Sequence, residues 1–480
     1  MARRSAAKFF FQALMDSCGL ASLYDFENRK KLFPAVDSRV KFCLLTLNGP
    51  ARPVNSADFV FFALGVEDLR EEDRHFSLTQ GEIALLNPNT LTCPIFRSKA
   101  DAELTKAIYR RVPVLIKEGP PEENPWGISI RRVFDMNKRD VLSICVPASG
   151  KDRPDGYLPI MESKMMHQFD HRFADYSKME NDSRSTRLPE IPTDMKLDPS
   201  LNAFPRYWVP EAEVDARLED RWDRGWLLGW RDICRSTDER TIIGGVLPLA
   251  GTDFTLRIGF PANHPCWASV VLLASLNSFC LDYVARQMLS GTHLADYITK
   301  QLPTLAPTIL SIKVPWHPNA GILEWVRIRA IELVFTAFDL SIFAEDCGHK
   351  GNPFRWDVGR RFLLRCELDA AFFHLYLPAT PDGRWRPARV AEGAVREETE
   401  KELADFGKHF PTPRHAVDHI LGTFPIVRRK DEAEYDEYRT KRVILEIYDE
   451  MQRAIVTGEP YQTRLDPPPG DTRVRHPPKA

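Results

Sequence analysis

Long hydrophobic runs are missing from this 480-residue chain. Nowhere do the roughly 20 consecutive apolar residues of a membrane-spanning helix occur, so no membrane role is expected. The Cys-x-x-Cys spacing of zinc knuckles is absent too. Nine cysteines stand singly, which points to reduced thiols in a cytoplasmic protein and to no metal site. Charge of one sign is lacking: the net charge of −2 excludes a wholly basic nucleic-acid binder and leaves room for a local basic surface. No Gly-x-Gly follows a predicted strand, and Gly244-Gly245 is too isolated to cradle a phosphate. The basic start, Met1 to Ser5, runs into Phe9-Phe10-Phe11-Gln12, too short for the apolar part of a signal peptide. Internal repeats are also absent.

What is present is an ordinary globular composition, 43% apolar and 28% charged, long enough for about two to four domains. Residues 4–18 predict a short amphipathic helix with Ala7, Phe10, Phe11 and Leu14 on one face, stopped by Gly19. Residues 20–47 read as strand, short loop, strand, with Phe33-Pro34 and basic neighbours in the loop. Phe59 to Leu64 reads as a buried strand and Asp101 to Tyr109 as a helix. Residues 117–125 are charged and proline-rich, a candidate boundary. The stretch 126–265 predicts irregular α+β structure, with a long polar loop over 177–203. Helices are expected in 266–302, 322–346, 358–376 and 386–408, and a disordered proline-rich tail over 462–480.

The hairpin of residues 20–47 resembles the late part of an adenine-specific DNA methyltransferase domain. Further segments are similar to those of large type IIG-like restriction–modification methyltransferases and their relatives in BREX and DISARM phage-defence systems. These are Asn87-Pro88-Asn89-Thr90 with Cys93-Pro94-Ile95-Phe96-Arg97, Asn124-Pro125-Trp126-Gly127-Ile128, and Tyr157 to Met165. They continue through His167-Gln168-Phe169-Asp170-His171-Arg172, Trp230-Arg231-Asp232-Ile233, Arg240-Thr241, Leu276-Asn277-Ser278 and Gln301-Leu302-Pro303. Glu367-Leu368-Asp369-Ala370 and Tyr438 to Arg442 complete the set, which follows the family's order over most of the chain.

Two family motifs are not here: the Gly-rich S-adenosylmethionine loop and the Asn-Pro-Pro-aromatic tetrad that holds the target amine. Asn87-Pro88-Asn89-Thr90 lacks the second proline and the aromatic, and Asp466-Pro467-Pro468-Pro469 ends in proline. The resemblance therefore implies the C-terminal half of such an enzyme, split from a partner or truncated. S-adenosylmethionine would be bound by the missing half, and no catalytic residue is expected in this chain. The implied fold is α/β plus α+β: the end of a Rossmann-like methyltransferase sheet with its linker (1–120), a mixed target-recognition domain (121–330), a helical region (331–461) and the tail (462–480). The implied function is recognition of double-stranded DNA and base positioning for N6-adenine methylation. The alternatives are a non-catalytic DNA-binding specificity subunit and a Mg²⁺-dependent nuclease.

By this resemblance Phe33 would stack against a flipped base, because an exocyclic amine inside a duplex is unreachable. The bland reading is a core phenylalanine beside a turn proline. Glu162-Ser163-Lys164 after Pro154-Asp155 looks like a nuclease signature with tight spacing, and a DNA contact from Lys164 is the competing reading. His167 and His171 would share a metal if helical. The alternative is a polar cluster with Gln168 and Arg172 that reads bases or touches phosphates. Arg231, Arg240 and Thr241 suit a DNA face, against a solvated loop beside two core tryptophans. Arg286 and Thr292 would suit a phosphate if a helix begins after Gly291, and ordinary capping is the alternative. Glu367 and Asp369 read as structural salt bridges. Arg428 to Lys430 and Arg439 to Arg442 read as a solvated face able to follow a DNA backbone.

Overall fold

The computed structural model describes residues 2–49, 51–148, 152–179, 187–262, 264–289 and 291–477, with side chains from Phe9 onward. Twelve strands form three four-stranded sheets among the described residues, and fifteen α-helices surround them. The class is mixed α/β.

The first sheet contains β1 (Leu20–Glu27), β2 (Lys41–Leu47), β3 (Ser56–Ala63) and β4 (Phe76–Thr79), in the spatial order β2-β1-β3-β4. β1 pairs antiparallel with β2, Leu23 opposite Leu45. It pairs in parallel with β3, Leu23 opposite Phe59. β3 is nearly continuously apolar, as a strand covered on both faces must be. Phe59 and Phe61 feed the main core, and Val60 and Ala63 form a small cluster with Phe26 on the other face. The helix Lys99–Arg111 packs into that main core, its start capped by the Ser98 hydroxyl, which accepts from the Asp101 amide at 3.1 Å.

The region expected to be irregular holds two small sheets. One is built from β5 (Ile128–Arg131), β9 (Trp226–Arg231), β10 (Gly244–Pro248) and β12 (Leu256–Pro261), ordered β10-β9-β12-β5. The other is built from β6 (Val146–Pro147), β7 (Tyr157–Met161), β8 (Tyr207–Pro210) and β11 (Gly251–Thr252), ordered β11-β7-β8-β6. Their strands are short and broken by glycine and proline, which hid the alternation in the sequence. Part of the expected 177–203 loop, residues 180–186, lies outside the described residues; the rest is irregular apart from a short turn of 3₁₀ helix at Met195–Leu197.

Helices dominate from Cys266 onward. The two apolar helices Cys266–Leu276 and Phe279–Met288, bent by 64°, are buried in the core, and no single described helix is long and apolar enough to cross a membrane. The helices Val358–Tyr376 and Arg439–Thr457 pack against each other. One continuous core runs from Met15 to Leu465, so the expected boundaries at 120 and 330 do not divide separate cores. A second core lies beneath β7, β8 and β12.

Two expectations are corrected. In the 386–408 stretch the α-helix begins only at Glu400, after a 3₁₀ turn at Val390–Glu392, because the segment before it is held by Glu398, which binds buried Arg111 at 2.6 Å. The tail is ordered through residue 477. Fully buried Glu367 accepts from the Tyr461 hydroxyl at 3.0 Å and the Thr463 hydroxyl at 2.5 Å, and Arg360 donates to the Pro467 carbonyl at 2.6 Å. Polar composition predicted disorder; specific side-chain anchors overrule it.

Candidate functional site

The loop between β1 and β2 is scaffolded by one residue. Asn28 is fully buried, and its amide nitrogen donates to the Phe33 and Val36 carbonyls, each at 3.0 Å, while its oxygen accepts from the Phe33 amide at 2.9 Å. An unmade hydrogen bond at a buried amide is costly, so this clamp fixes the loop. Phe33 is 51% exposed at its tip. Its ring meets Phe42 edge-on at 4.9 Å, and Phe42 stacks on buried Phe26 at 5.1 Å. An aromatic ladder thus leads from the interior to one solvent-facing ring. Phe33 is not the core phenylalanine of the bland reading. The flanking cations Arg29, Lys30, Arg39 and Lys41 are matched by Glu27, Glu67 and Asp37 at 2.6–3.1 Å. Of these, Lys30–Glu67 and Arg39–Asp37 are exposed on both sides, contribute little and exchange readily for other anions.

β2 beside this loop is open. Its outer edge has no strand partner among the described residues, and Val40, Leu44, Leu45 and Leu47 are 39–51% exposed. Successive residues of a strand face opposite sides, so both faces and one edge of β2 meet solvent. Phe9 and Phe10 on the first helix are also exposed, Phe10 on the face expected to pack inward. At the end of β3, Phe62 adopts φ 60° at an irregularity in the pairing with β1, with Arg97 4.2 Å and Lys41 4.8 Å from its ring centre. A bulky residue held left-handed marks a locally over-determined site.

Ligands of parallel sheets sit at strand C-termini, which for S-adenosylmethionine would mean the turn that follows β3. Asp68 already fills that position: its carboxylate accepts from the amides of Leu64 at 2.5 Å and Gly65 at 3.3 Å. The residues of this turn do not fit that cofactor.

Most residues expected to face DNA are committed internally. Arg172 is fully buried and donates to the carbonyls of Asp198, Leu201, Lys196 and Thr336 at 2.9–3.3 Å. His171 bonds Asp339 at 2.9 Å, and Gln168 donates to the carbonyls of Ile242 and Asn277, both at 3.1 Å. Arg240 and Arg286 converge on fully buried Asp282 at 2.7 and 3.2 Å, and the Thr241 amide donates to the same carboxylate. A buried carboxylate demands such partners, so these groups stitch the interior together and the expected DNA contacts from them are corrected. Arg231 is tied to the Met166 carbonyl at 3.0 Å. Lys164 pairs with Glu162 at 3.3 Å and is partly exposed, as is His167. Thr292 is exposed, but the first helix after Gly291 among the described residues is the single turn Asp296–Thr299, so the expected helix-start phosphate site does not form.

Residues 167–172 form a turn, closed by paired backbone bonds between His167 and Asp170, so the helical spacing needed for a two-histidine metal site is absent. No group of three or more His, Cys, Asp or Glu able to hold a metal occurs among the described residues. Asp155 and Glu162 lie beyond opposite ends of the five-residue β7, so the strand holds them apart and does not bring them to one nuclease metal. Asp253, whose amide bonds the Met161 carbonyl, is instead the carboxylate near Glu162; burial and Glu162 push it up to about 6.

A cavity of about 420 Å³ lies between the turn of residues 167–168 and the three C-terminal helices Val358–Tyr376, Pro425–Tyr435 and Arg439–Thr457. Val358, Phe362, Arg365 and Asp369 line it from one face of the helix Val358–Tyr376, and Arg439 enters from the helix Arg439–Thr457. Arg439 lies 4.3 Å from the centre of the Phe362 ring and 4.4 Å from that of Tyr435. Neither Arg365 nor Arg439 forms an ion pair with a carboxylate among the described residues, and the His167 ring makes no side-chain hydrogen bond. Burial, then the charges of Arg231, Arg365 and Arg240, hold His167 neutral, down to about 3. Burial pushes Asp369 up to about 6 against the pull of Arg240 and the Phe279 amide, which donates to it at 2.7 Å. Asp369 therefore caps a helix start and is not the expected salt bridge, whereas Glu367 is one, with Arg329 at 2.7 Å. Sequence reading passed over Arg365. Its signal was an arginine on the Val358–Phe362–Asp369 stripe of an otherwise buried helix.

No protein-family model matches this chain, and no curated protein matches it.

Proposed function

We propose that this chain recognises double-stranded DNA and positions the target base for S-adenosylmethionine-dependent N6-adenine methylation in a cytoplasmic restriction–modification or phage-defence system, with methyl transfer carried by a separate catalytic half. The observation that carries the reading is the open, apolar β2 edge beside an exposed Phe33 whose loop is clamped from within. A strand with both faces and one edge in water is a template for added strands. On this reading the β2-β1-β3-β4 sheet is the end of a Rossmann-like methyltransferase sheet, and strands of the catalytic half join it at β2. Phe33 then projects next to that seam, where a base extruded from the duplex would meet its open face. On this reading the cofactor and the amine-holding tetrad belong to the catalytic half.

The test is association with the product of the reading frame immediately upstream, followed by light scattering after gel filtration. A one-to-one complex that Leu45→Lys dissolves supports the proposal. DNA binding by the chain with no association would replace it with a non-catalytic specificity subunit.

A further inference from the structure

The cavity between the 167–168 turn and the C-terminal helices is independent of the β2 edge and of any methyl transfer, and its chemistry is that of a ligand site. Its size, about 420 Å³, lies in the range that encloses a small molecule. Arg365 and Phe362 are three residues apart on one helix, so the guanidinium of Arg439, held over Phe362, lies within about one helical turn of Arg365. Cation–π packing holds the Arg439 guanidinium in place while leaving its in-plane N–H donors unspent. Two arginines, one from each helix and neither within ion-pair distance of a carboxylate among the described residues, suit a doubly charged oxyanion, which planar guanidinium groups bind bidentately. The remaining charges lining the cavity are arranged differently. Lys430 is paired with Glu239, Arg240 with Asp282, Glu434 accepts from Tyr435, and Asp431 accepts from the Thr440 amide. Asp369 adds a carboxyl of which only one oxygen is engaged, by the Phe279 amide. A ligand that fits therefore carries a phosphate at one end and hydrogen-bond donors at the other.

We propose that this cavity binds a small phosphate monoester of mononucleotide size, its phosphate between Arg365 and Arg439 and its donor-bearing ring toward Asp369. The same phosphate chemistry could come from a DNA backbone, so the experiment separates the two sources. The full-length chain is titrated calorimetrically with deoxyadenosine 5′-monophosphate, deoxyadenosine, inorganic phosphate and a short duplex. The expected result is saturable monophosphate binding at one site, competed by inorganic phosphate, with deoxyadenosine at least about tenfold weaker. Arg365→Gln and, separately, Arg439→Gln on the cavity rim each weaken the monophosphate at least about tenfold, with a melting temperature within about 2 °C of the parent. Retention of partial binding by Arg365→Lys distinguishes lost charge from lost fold. The proposal is overturned if the monophosphate and the nucleoside bind alike, if neither binds up to about 10 mM, or if both glutamine variants bind like the parent. It is also overturned if only the duplex competes with inorganic phosphate.

Discussion

At the scale of single residues, Asn28 and Phe33 differ in burial, the one enclosed and the other half-exposed. Asn28 holds the loop and Phe33 is what the loop displays. Asn28→Ala is expected to destabilise the chain by about 1–3 kcal/mol in urea unfolding, since it strands two carbonyls and an amide. Phe33→Ala should change stability by less than about 0.5 kcal/mol, because the ring is half-exposed, yet lower methyl transfer by the assembled enzyme at least about tenfold. His374 carries a third prediction. It is buried, lies 3.9 Å from the Tyr448 ring in a parallel stack, and donates from Nε2 to the Tyr448 carbonyl at 3.1 Å. Burial lowers it to about 4 from an ordinary value near 6.5. The unfolded chain therefore takes up this proton first, so stability is present above pH about 6.5 and is lost as pH falls through about 4. The loss is on the order of 3 kcal/mol. His374→Phe should flatten that part of the pH dependence, and an unchanged difference between pH 7 and pH 4 would refute the assignment.

At the scale of elements, β2 and the C-terminal segment behave in opposite ways. β2 is formed but unburied, and a Leu45→Lys substitution should leave the unfolding midpoint in place while abolishing association through the edge. The C-terminal segment is polar yet pinned, and Glu367→Ala should cost about 3–5 kcal/mol and expose residues 459–477 to hydrogen exchange, because Arg329 would be left buried without its partner. These two cases mark what the sequence could tell. The hairpin of residues 20–47, the buried strand at Phe59 and the long C-terminal helices were legible, since apolar periodicity and glycine or proline punctuation are local signals. The two inner sheets were not, because short strands broken by glycine and proline find their partners far along the chain. The ordered tail was missed for a related reason: its anchors, Glu367, Arg360 and Asn352, lie about a hundred residues away from it. The candidate site divides likewise. Phe33 was legible from its loop. Arg172, Gln168 and Arg240 read as surface because arginine and glutamine usually are, and only the fold reveals that carbonyls and Asp282 surround them.

At the scale of the whole molecule, a near-neutral chain presents an apolar strand edge beside the Phe33 loop and, apart from it, an arginine-lined cavity. Recognition of DNA by such a chain would depend on the partner that completes the seam. The duplex affinity of the assembled pair should fall steeply with salt, and the chain alone should bind more weakly and with a shallower salt slope. Both follow from titrations across about 50–200 mM salt. The central claim, that this chain is the recognition half of an adenine methyltransferase, is tested most directly by transfer of a radiolabelled methyl group from S-adenosylmethionine to bacterial DNA. The chain is assayed alone and mixed with the product of the reading frame immediately upstream. Label incorporated into N6-methyladenine only by the mixture is the predicted result. Label incorporated by the chain alone, or by neither sample when the two proteins form a stable complex on DNA, would contradict it.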